Sequence, residues 1–419
     1  MKRITLIILT ALLAVCFIRP VFAAQQPPDI GVLIDGLPVN FDVPPVIYEG
    51  RTLVPFRAVS EALNIGVNWD ASTQTITAQS QDKEIVLQIG SQVALVNGVS
   101  SNLEVAPRII NNRTLIPLRF FTESLGCMVD WDQQNYLVKI SSPARDMNVI
   151  GFYALGDSTT SSWKSLFGAS YPEVGVTHAD LIKEIAVGWY SIDAEGNLLT
   201  NSGTGWQRPE GWEKVLDTAK TYNLKADMII HLPDRDSTFN NLMANEEAVN
   251  KVIAAITSEA QTYQGVNLDI EGLGWKENGS ELTAVKNNYT RFVRLLADKL
   301  KASEKSLTLT LHPPNSAYQG YDYQALGAIA DRIIVMAYDY GPKPEPTGLV
   351  MTAVATAVQN VQPDKIILGI SLPSENPESI KSKIGIAKKY NLNGIALWRL
   401  GLVTTETWDV LKTTIKVGK

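Results

Sequence analysis

The chain has 419 residues, enough for two or three domains. Hydrophobic residues make up 45% of it and charged residues 19%, a composition that excludes an intrinsically disordered protein. The formal net charge of -6 gives no reason to expect a nucleic-acid partner.

The first 23 residues are typical of a secretory signal peptide. Lys2 and Arg3 precede the apolar run ITLIILTALLAVCFI, and the small residues Ala23 and Ala24 predict cleavage after Ala23. The apolar run is short for a membrane span, which needs about 20 residues, and an uncleaved anchor is the alternative. After cleavage Cys127 is the only cysteine, so we expect no internal disulfide and a small buried thiol.

A duplicated unit follows the signal peptide. Residues 51–78, RTLVPFRAVSEALNIGVNWDASTQTITA, match residues 113–140, RTLIPLRFFTESLGCMVDWDQQNYLVKI, at a constant offset of 62. In each copy a stretch with helical spacing of apolar residues follows the proline, and an alternating strand ends the copy. We therefore predict a small α+β domain of two repeats over residues 28–143.

The repeated signature R-T-L-x-P-x-R resembles the copper amine oxidase-like N-terminal domain, a stalk module of exported proteins of Gram-positive bacteria. The resemblance does not imply copper here, because copper favours imidazole ligands and the histidines all lie outside the module. We interpret Trp69 and Trp131, which are equivalent in the two copies, as core residues beside the helix. A platform for stacking sugars is the alternative for these two tryptophans.

After the polar link SSPARD (141–146), near-continuous apolar strands alternate with helical stretches. The eight predicted strands cover 148–156, 184–192, 226–233, 265–271, 307–314, 332–341, 365–373 and 394–401. This pattern predicts a (β/α)8 TIM barrel over residues 147–419. A doubly wound open sheet is the alternative, but no Gly-rich phosphate loop follows the first strand.

Two carboxylates interrupt the fourth predicted strand, GVNLDIE. Asp269 and Glu271 are two residues apart and therefore lie on the same face of that strand. Because the active site of a TIM barrel lies at the carboxyl ends of its strands, we expect both at the barrel mouth. Other strand ends are predicted to bring further acidic and aromatic residues there: Tyr153, Tyr338, Asp339 and Trp398. Acids combined with aromatic rings are typical of a sugar site.

The segment Q-G-V-N-L-D-I-E (264–271), together with M-A-Y-D (336–339) and Trp398, resembles glycoside hydrolase family 18. The resemblance covers residues 147–410 and is closest to the bacterial spore and cell-wall hydrolases, and the family's motif reads D-G-x-D-x-D-x-E. Gln264 and Asn267 replace two acidic residues of that motif. These replacements keep a catalytically impaired sugar-binding protein open as the alternative.

The resemblance implies a retaining mechanism in which the substrate's own 2-acetamido group attacks the sugar. Glu271 would protonate the leaving oxygen with a raised pKa, Asp269 would orient the acetamido group, and Tyr338 would hydrogen-bond it. The residues expected to bind substrate are Tyr153, Asn267, Asp339, Trp398 and Trp275. Trp189 and Trp206 are further candidates for outer sugar subsites.

No group of residues has metal-ligand spacing, so we expect neither a metal nor another cofactor. We interpret His231 and His312 as structural, with a position lining the cleft as the alternative for His312. The segment between the seventh and eighth strands is short, which predicts a shallow, open groove.

These observations predict an exported glycosidase of the β-N-acetylglucosaminidase or chitinase type. Its expected substrates are β-1,4 bonds next to N-acetylglucosamine in peptidoglycan or in chitin-type glycans. We expect a secreted monomer associated with a Gram-positive type of cell wall, with no stable membrane insertion after signal cleavage. A purely structural surface protein is disfavoured by the acids and aromatics at several strand ends.

Overall fold

The computed structural model describes residues 29–80, 82–154 and 160–416. The predicted signal peptide lies outside these residues. Within the described ranges, no helix combines the length and the apolar character needed to cross a membrane. The chain forms a small N-terminal module followed by a barrel.

The described part of the module contains thirteen short strands and two short helices, each buried along one face. Its strands are β1 (Gly31–Ile34), β2 (Leu37–Pro38), β3 (Val46–Tyr48), β4 (Arg51–Pro55), β5 (Gly66–Asp70), β6 (Thr75–Gln79), β7 (Glu84–Gln88), β8 (Val93–Val96), β9 (Val99–Asn102), β10 (Arg108–Ile110), β11 (Arg113–Pro117), β12 (Met128–Asp132) and β13 (Leu137–Ser141). Its helices are α1 (Phe56–Ala62) and α2 (Leu118–Ser124). The strands form three sheets, in the orders β12-β13-β1-β2, β10-β11-β4-β3 and β5 to β9.

The predicted duplication is present in the fold. The same series of elements occurs twice, with every bound displaced by 62 positions: the series β4, α1, β5 and β6 begins at Arg51, and the series β11, α2, β12 and β13 begins at Arg113. The two copies meet where β4 pairs antiparallel with β11. Apolar residues of both helices, such as Val59 and Phe121, lie fully buried in one shared core. The two repeats therefore fold as one unit around that core.

Eight parallel strands form the closed barrel. They are β15 (Asn148–Tyr153), β16 (Glu184–Ile192), β18 (Lys225–Pro233), β19 (Gly265–Glu271), β20 (Ser306–Leu311), β21 (Arg332–Val335), β22 (Ile366–Ser371) and β23 (Gly394–Trp398). Each strand pairs with the next, and β15 pairs with both β16 and β23, which closes the ring. This closure confirms the predicted TIM barrel and excludes the open sheet. A short strand, β17 (Leu198–Leu199), extends β16 in antiparallel pairing.

The sixth barrel strand is shorter than the sequence predicts. The apolar run 332–341 suggested a strand throughout, but β21 ends at Val335. The backbone N–H groups of Ala337 and Tyr338 donate to carbonyls only two residues earlier, so they do not pair with a neighbouring strand. Asp339 then adopts a left-handed backbone with φ of 64°. This turn directs the Tyr338 segment into the barrel mouth.

Helices surround the barrel between its strands. They are α3 (Ser162–Phe167), α4 (Trp212–Thr221), α5 (Thr238–Met243), α6 (Glu246–Glu259), α7 (Gly279–Ala302), α8 (Tyr323–Ile329), α9 (Thr347–Val358), α10 (Pro377–Lys389) and α11 (Thr405–Thr414). Helix α7 buries a stripe at helical spacing: Val285, Tyr289, Phe292, Val293, Leu296 and Leu300. Helix α10 begins with a capping box in which Asn376 and Ser379 satisfy each other's backbone N–H groups. Apolar residues of these helices pack with outward-facing residues of the barrel strands in one core.

The barrel interior is closed at the amino ends of the strands by a buried ion-pair network. Arg332 at the start of β21 contacts Glu184 at 2.7 Å and Asp227 at 3.0 Å, and it also donates to Thr308. Burial, followed by the neighbouring Glu184, raises the pKa of Asp227, and Arg332 opposes that rise. Ligand access to the interior is therefore from the opposite end, where the strands finish.

The N-terminal module contacts the barrel through helix α10. Asn64 donates to the carbonyl oxygens of Lys388 and Lys389 at 2.8 and 2.7 Å, and Lys381 donates to Ser141. A short strand β14 (Arg145–Asp146) pairs in parallel with β24 (Ile415–Lys416) near the end of the chain. The predicted polar link is therefore hydrogen-bonded to both units.

Candidate active site

Strand β19 carries its carboxylates into the mouth of the barrel. Val266, Leu268 and Ile270 pack outward into the core shared with the helices. Because side chains alternate along a strand, Asp269 and Glu271 point to the interior side. In the register of the sheet, His231 of β18 lies opposite Asp269.

Two imidazole rings flank the carboxylate of Glu271. Nε2 of His231 lies 3.3 Å from one oxygen, Oε1. Nε2 of His312, just beyond β20, lies 3.7 Å from the other oxygen, Oε2. Burial raises the pKa of Glu271, but the hydrogen bond from His231 and the charges of both histidines outweigh burial and lower it. Glu271 is therefore held in its ionised form before a ligand binds.

Asp269 has the opposite tendency. Its side chain is only 3% exposed, and its Oδ1 has no hydrogen-bond partner among the described residues. Burial and then the charge of Glu271 raise its pKa to about 8, against the lowering effect of His231. These effects favour the protonated form of Asp269 and the ionised form of Glu271. This corrects the expectation that Glu271 has the raised pKa in the free site.

The two histidines differ in their own charge. For His231, burial lowers the pKa, but the hydrogen bond to Glu271 and the two nearby carboxylates raise it above its usual value. For His312, burial dominates and lowers the pKa despite Glu271. Ring stacking also holds His312, whose ring centroid lies 3.9 Å from that of Tyr318. His231 is therefore the cationic partner of Glu271.

Tyr338 and Trp398 reach the same mouth from other strand ends. Burial raises the pKa of Tyr338, and Asp269 and Glu271 raise it further by their negative charge. Trp398 is half-buried at the end of β23, with its ring 5.2 Å from Phe152 and 5.1 Å from Trp206. Tyr338 and Trp398 thus lie beyond or at the carboxyl ends of their strands, at the same end of the barrel as the two carboxylates.

Asp339 lies at the outer edge of this mouth. Its side chain is exposed, and its backbone N–H donates to Oε1 of Glu345 at 3.0 Å. Burial, then Glu345 and Glu271, raise the pKa of the Asp339 carboxyl group. Its position is compatible with contact to a bound ligand.

Two predicted binding residues are buried and do not face the cleft. Tyr153 is fully buried in the layer between barrel and helices, where its ring packs 6.4 Å from that of Trp189. The neighbouring Phe152 faces the interior instead, beside Trp398. Asn267 is 1% exposed and accepts a hydrogen bond from Thr310 at 2.8 Å, one layer below Asp269. Neither Tyr153 nor Asn267 is therefore retained as a substrate contact.

A cleft of about 460 Å³ extends from Glu271 over the loop that follows β19. Trp275 on this loop is 61% exposed, and its ring centroid lies 6.0 Å from that of Tyr318. Trp275 and His312 both line this cleft. Trp189, by contrast, is 1% exposed and is excluded as an outer subsite.

The two histidines at Glu271 are functional candidates that the sequence pattern led us to interpret as structural, and His312 lines the cleft, as in the alternative given for it. His231 has the same strand parity as Ile229, which faces the interior, and this parity is a signal that could have revealed it. One ligand atom each from His231, Asp269 and Glu271 lies within 4.8 Å of the others, a geometry able to hold a divalent cation. Because His231 is on a neighbouring strand, no local spacing motif indicates this cluster.

The family model for glycosyl hydrolases family 18 matches residues 148–374, more than half of the chain. The chain belongs to this family. A second family model, the copper amine oxidase N-terminal domain, matches residues 33–140. Both matches confirm the resemblances found in the sequence, and the first confirms the assignment to a glycosidase family.

Relatives of known name match parts of the chain. A candidate sporulation-specific glycosylase, YdhD, of Bacillus subtilis (strain 168) is 28% identical over 215 residues, 46% of this chain and 46% of the relative. A cortical fragment-lytic enzyme of Bacillus anthracis is 26% identical over 170 residues, 34% of this chain and 37% of the relative. The chain thus spans less than half the length of these two relatives.

Solved structures share the barrel fold. The spore cortex-lytic enzyme SleL of Bacillus megaterium QM B1551 superposes with a TM-score of 0.54 at 17% identity, covering 66% of this chain and 76% of that chain. A chitinase of Chromobacterium violaceum ATCC 12472 superposes with a TM-score of 0.52 at 19% identity, covering 64% and 98%. At these identities the likeness establishes the fold alone.

Proposed function

We propose that the protein is an exported glycoside hydrolase that cleaves β-1,4 bonds next to N-acetylglucosamine by a retaining, substrate-assisted mechanism. The observation that carries the proposal is the pair Asp269 and Glu271, which lies on one face of β19 at the open end of a family 18 barrel. This chemistry requires one carboxylic acid that donates its proton and a neighbouring carboxylate that is ionised when it does so.

Glu271 is the proposed general acid. Its carboxyl group borders the cleft and so can reach a glycosidic oxygen, whereas Asp269 is buried beneath it. In the free site burial favours a proton on Asp269 and His231 favours ionised Glu271, so the reaction needs a proton to move to Glu271. A bound sugar favours that transfer, because its glycosidic oxygen accepts from Glu271 while its acetamido N–H donates to Asp269.

Asp269, once ionised, orients the acetamido group and stabilises the positive charge that develops on it. Tyr338 is proposed to donate a hydrogen bond to the acetamido oxygen, and the effect of both acids on its pKa supports this role. The acetamido oxygen displaces the leaving group and forms an oxazolinium-like intermediate. Water then opens the intermediate with Glu271 as base, and the two displacements together give retention of configuration.

Aromatic rings define the rest of the proposed sugar site. Trp398 forms the floor of the central subsite, and Trp275 provides an outer platform beside the cleft. Asp339 at the edge positions sugar hydroxyls. Asn267 acts instead through the buried hydrogen bond with Thr310 that supports the layer below Asp269.

Peptidoglycan is the proposed main substrate, with chitin-type glycans second. The relatives named as cortical fragment-lytic enzymes support the first choice, and the predicted signal peptide supports secretion and association with a Gram-positive type of cell wall. The proposal includes a monomer with domains at residues 28–143 and 147–419.

A catalytically impaired sugar-binding protein is the second candidate function. The lowered pKa of Glu271 favours it, because an ionised acid cannot protonate a leaving group. Gln264 adds no support, since its side-chain oxygen accepts from the backbone N–H of Ala226 at 2.8 Å and serves the barrel wall.

Mass spectrometry of the products distinguishes these candidates. Purified peptidoglycan and chitin oligosaccharides would be incubated separately with the full chain, with Glu271→Gln as the matched control. New reducing N-acetylglucosamine ends that are missing in the control support the hydrolase. Retained binding without cleavage of either substrate favours the sugar-binding protein.

A further inference from the structure

The N-terminal module contains a groove of about 940 Å³ that the barrel does not share. It is lined by the edge of β4, the segment after β9, helix α2 and the strands β12 and β13. The residues that join the module to the barrel, among them Asn64 and Ser141, do not line it. The groove is therefore not part of the contact between the two units.

The groove combines aromatic rings with polar side chains. Trp131 lies on its wall, where its ring packs edge to face against Tyr136 at 5.9 Å. The indole N–H of Trp131 donates to Oε1 of Gln133 at 2.8 Å. Phe120 of helix α2 adds a third ring, and Asn102 adds an amide. Aromatic walls with a few amide groups are typical of sites for small polar ligands with apolar faces.

Charge in the groove is balanced. Arg51 pairs with Glu104, and Arg119 lies 3.8 Å from Glu123, so the charged lining residues sum to zero. A polyanion would require an excess of basic side chains. The groove is therefore suited to a neutral ligand.

The two copies of the repeat differ at the groove. Three lining residues of the second copy are Phe120, Gln133 and Tyr136, and the equivalent positions of the first copy, 62 residues earlier, hold Ala58, Ala71 and Gln74. The tryptophans, Trp69 and Trp131, are common to both copies. Since the first copy folds with the smaller residues, the backbone of the repeat does not require the larger ones.

Tyr136 also occupies an unfavourable backbone position. Its φ is 51°, in the left-handed region, where bulky side chains are disfavoured. The equivalent Gln74 has a φ of 54°, so the turn itself is shared by both copies. A tyrosine retained at this turn, beside the tryptophan, indicates a role for its ring in the groove.

We propose that this groove binds a neutral oligosaccharide of N-acetylhexosamine units, so that the module holds the glycan strand on which the barrel acts. The rings of Trp131, Tyr136 and Phe120 stack on the apolar faces of the sugars, while Gln133 and Asn102 bond their hydroxyl and amide groups. The choice of sugar rests on the proposed function of the barrel. The site itself rests on the groove and on the divergence of the two copies.

The test replaces the three groove residues of the second copy with the residues found at the equivalent positions of the first copy. The triple variant Phe120→Ala, Gln133→Ala, Tyr136→Gln would be made in the full chain carrying Glu271→Gln. Co-sedimentation with insoluble peptidoglycan should give an apparent Kd about tenfold weaker than that of the Glu271→Gln parent. Trp69→Ala, an exposed tryptophan outside the groove, is the matched control and should leave the Kd unchanged. A Kd within twofold of the parent for the triple variant, or an equal loss with Trp69→Ala, overturns the proposal.

A site-specific measurement separates the groove from the barrel cleft. In ¹H–¹⁵N spectra of the full chain carrying Glu271→Gln, the indole signal of Trp131, assigned with Trp131→Phe, should move on titration with chitotetraose. A signal that stays in place, or that moves only with a wall peptide, refutes the glycan site. With Glu271 intact, the control Trp69→Ala should cleave soluble chitin oligosaccharides at an unchanged kcat/KM. If the unmodified chain cleaves nothing, the hydrolase proposal fails while the Trp131 signal still decides the groove.

Discussion

Replacing His231 by glutamine tests whether this histidine sets the protonation of the catalytic carboxylates. Its Nε2 lies 3.3 Å from Oε1 of Glu271, and its charge lowers the pKa of Glu271 and opposes the rise in the pKa of Asp269. Glutamine keeps a hydrogen-bond donor of similar length and carries no charge. We therefore expect the Asp269–Glu271 pair of the variant to lose its proton at a higher pH than the pair of the unmodified chain.

The size of the effect follows from the buried pair. Burial, then Glu271, raises the pKa of Asp269 to about 8, so activity should fall as the shared proton is lost above that pH. One pH unit above a pKa, about one molecule in eleven stays protonated, so kcat/KM at pH 9 should be roughly a tenth of its neutral value. An opposite charge within about 4–6 Å lowers the pKa of a carboxyl group by about 1–3 pH units, so loss of the His231 charge should move this alkaline limb upward by about one pH unit or more.

The assay is kcat/KM on a fluorogenic chitin oligosaccharide from pH 5 to pH 10. His312→Gln is the matched control, because His312 lies farther from Glu271, at 3.7 Å, and burial lowers its own pKa. The control should move the alkaline limb less than His231→Gln does. If His231→Gln lowers the rate at every pH and leaves the limb in place, His231 has only a structural role and the reasoning is refuted.

Three further variants have defined outcomes. Asp269→Asn removes a group whose pKa rises from 3.8 to about 8 on folding, so its melting temperature relative to wild type should increase from pH 4 to pH 8; a constant difference would contradict this. Trp275→Ala should raise KM by roughly two- to tenfold and leave kcat nearly unchanged, whereas a fall in kcat alone would exclude a platform role. Arg332→Met leaves Glu184 and Asp227 buried without their cation and should cost about 3–5 kcal/mol in urea unfolding. A loss below about 1 kcal/mol would show that this network does not stabilise the barrel.

Much of the fold is predictable because its signals are local and repeated. The constant offset of 62 residues predicts the matching elements of the two copies, and the runs of apolar residues predict the barrel strands. The predicted end of the sixth strand was wrong, because the largely apolar segment M-A-Y-D-Y continues the pattern of the strand before it. The N–H groups of Ala337 and Tyr338 instead donate to carbonyls two residues earlier, so the segment leaves the sheet.

A site residue is predictable from sequence where polar and apolar residues alternate along its strand, and it is not predictable where both faces of the strand are apolar. Asp269 and Glu271 stand out because their charges alternate with apolar residues on β19. Tyr153 was misplaced because β15 is apolar on both faces, so nothing distinguishes it from the inward-facing Phe152. His231 depends on the register between β18 and β19, which joins residues far apart in sequence. The pKa order of the two acids depends on burial and on that histidine, so it too requires the fold.

The most direct test of the proposed chemistry is time-resolved proton NMR of a chitin oligosaccharide during its cleavage by the full chain. Substrate assistance predicts that the β-anomer of the new reducing end forms first and that an oligosaccharide without N-acetyl groups is not cleaved. If the α-anomer forms first, or if the deacetylated substrate is cleaved equally well, the roles given to Asp269 and Glu271 are wrong.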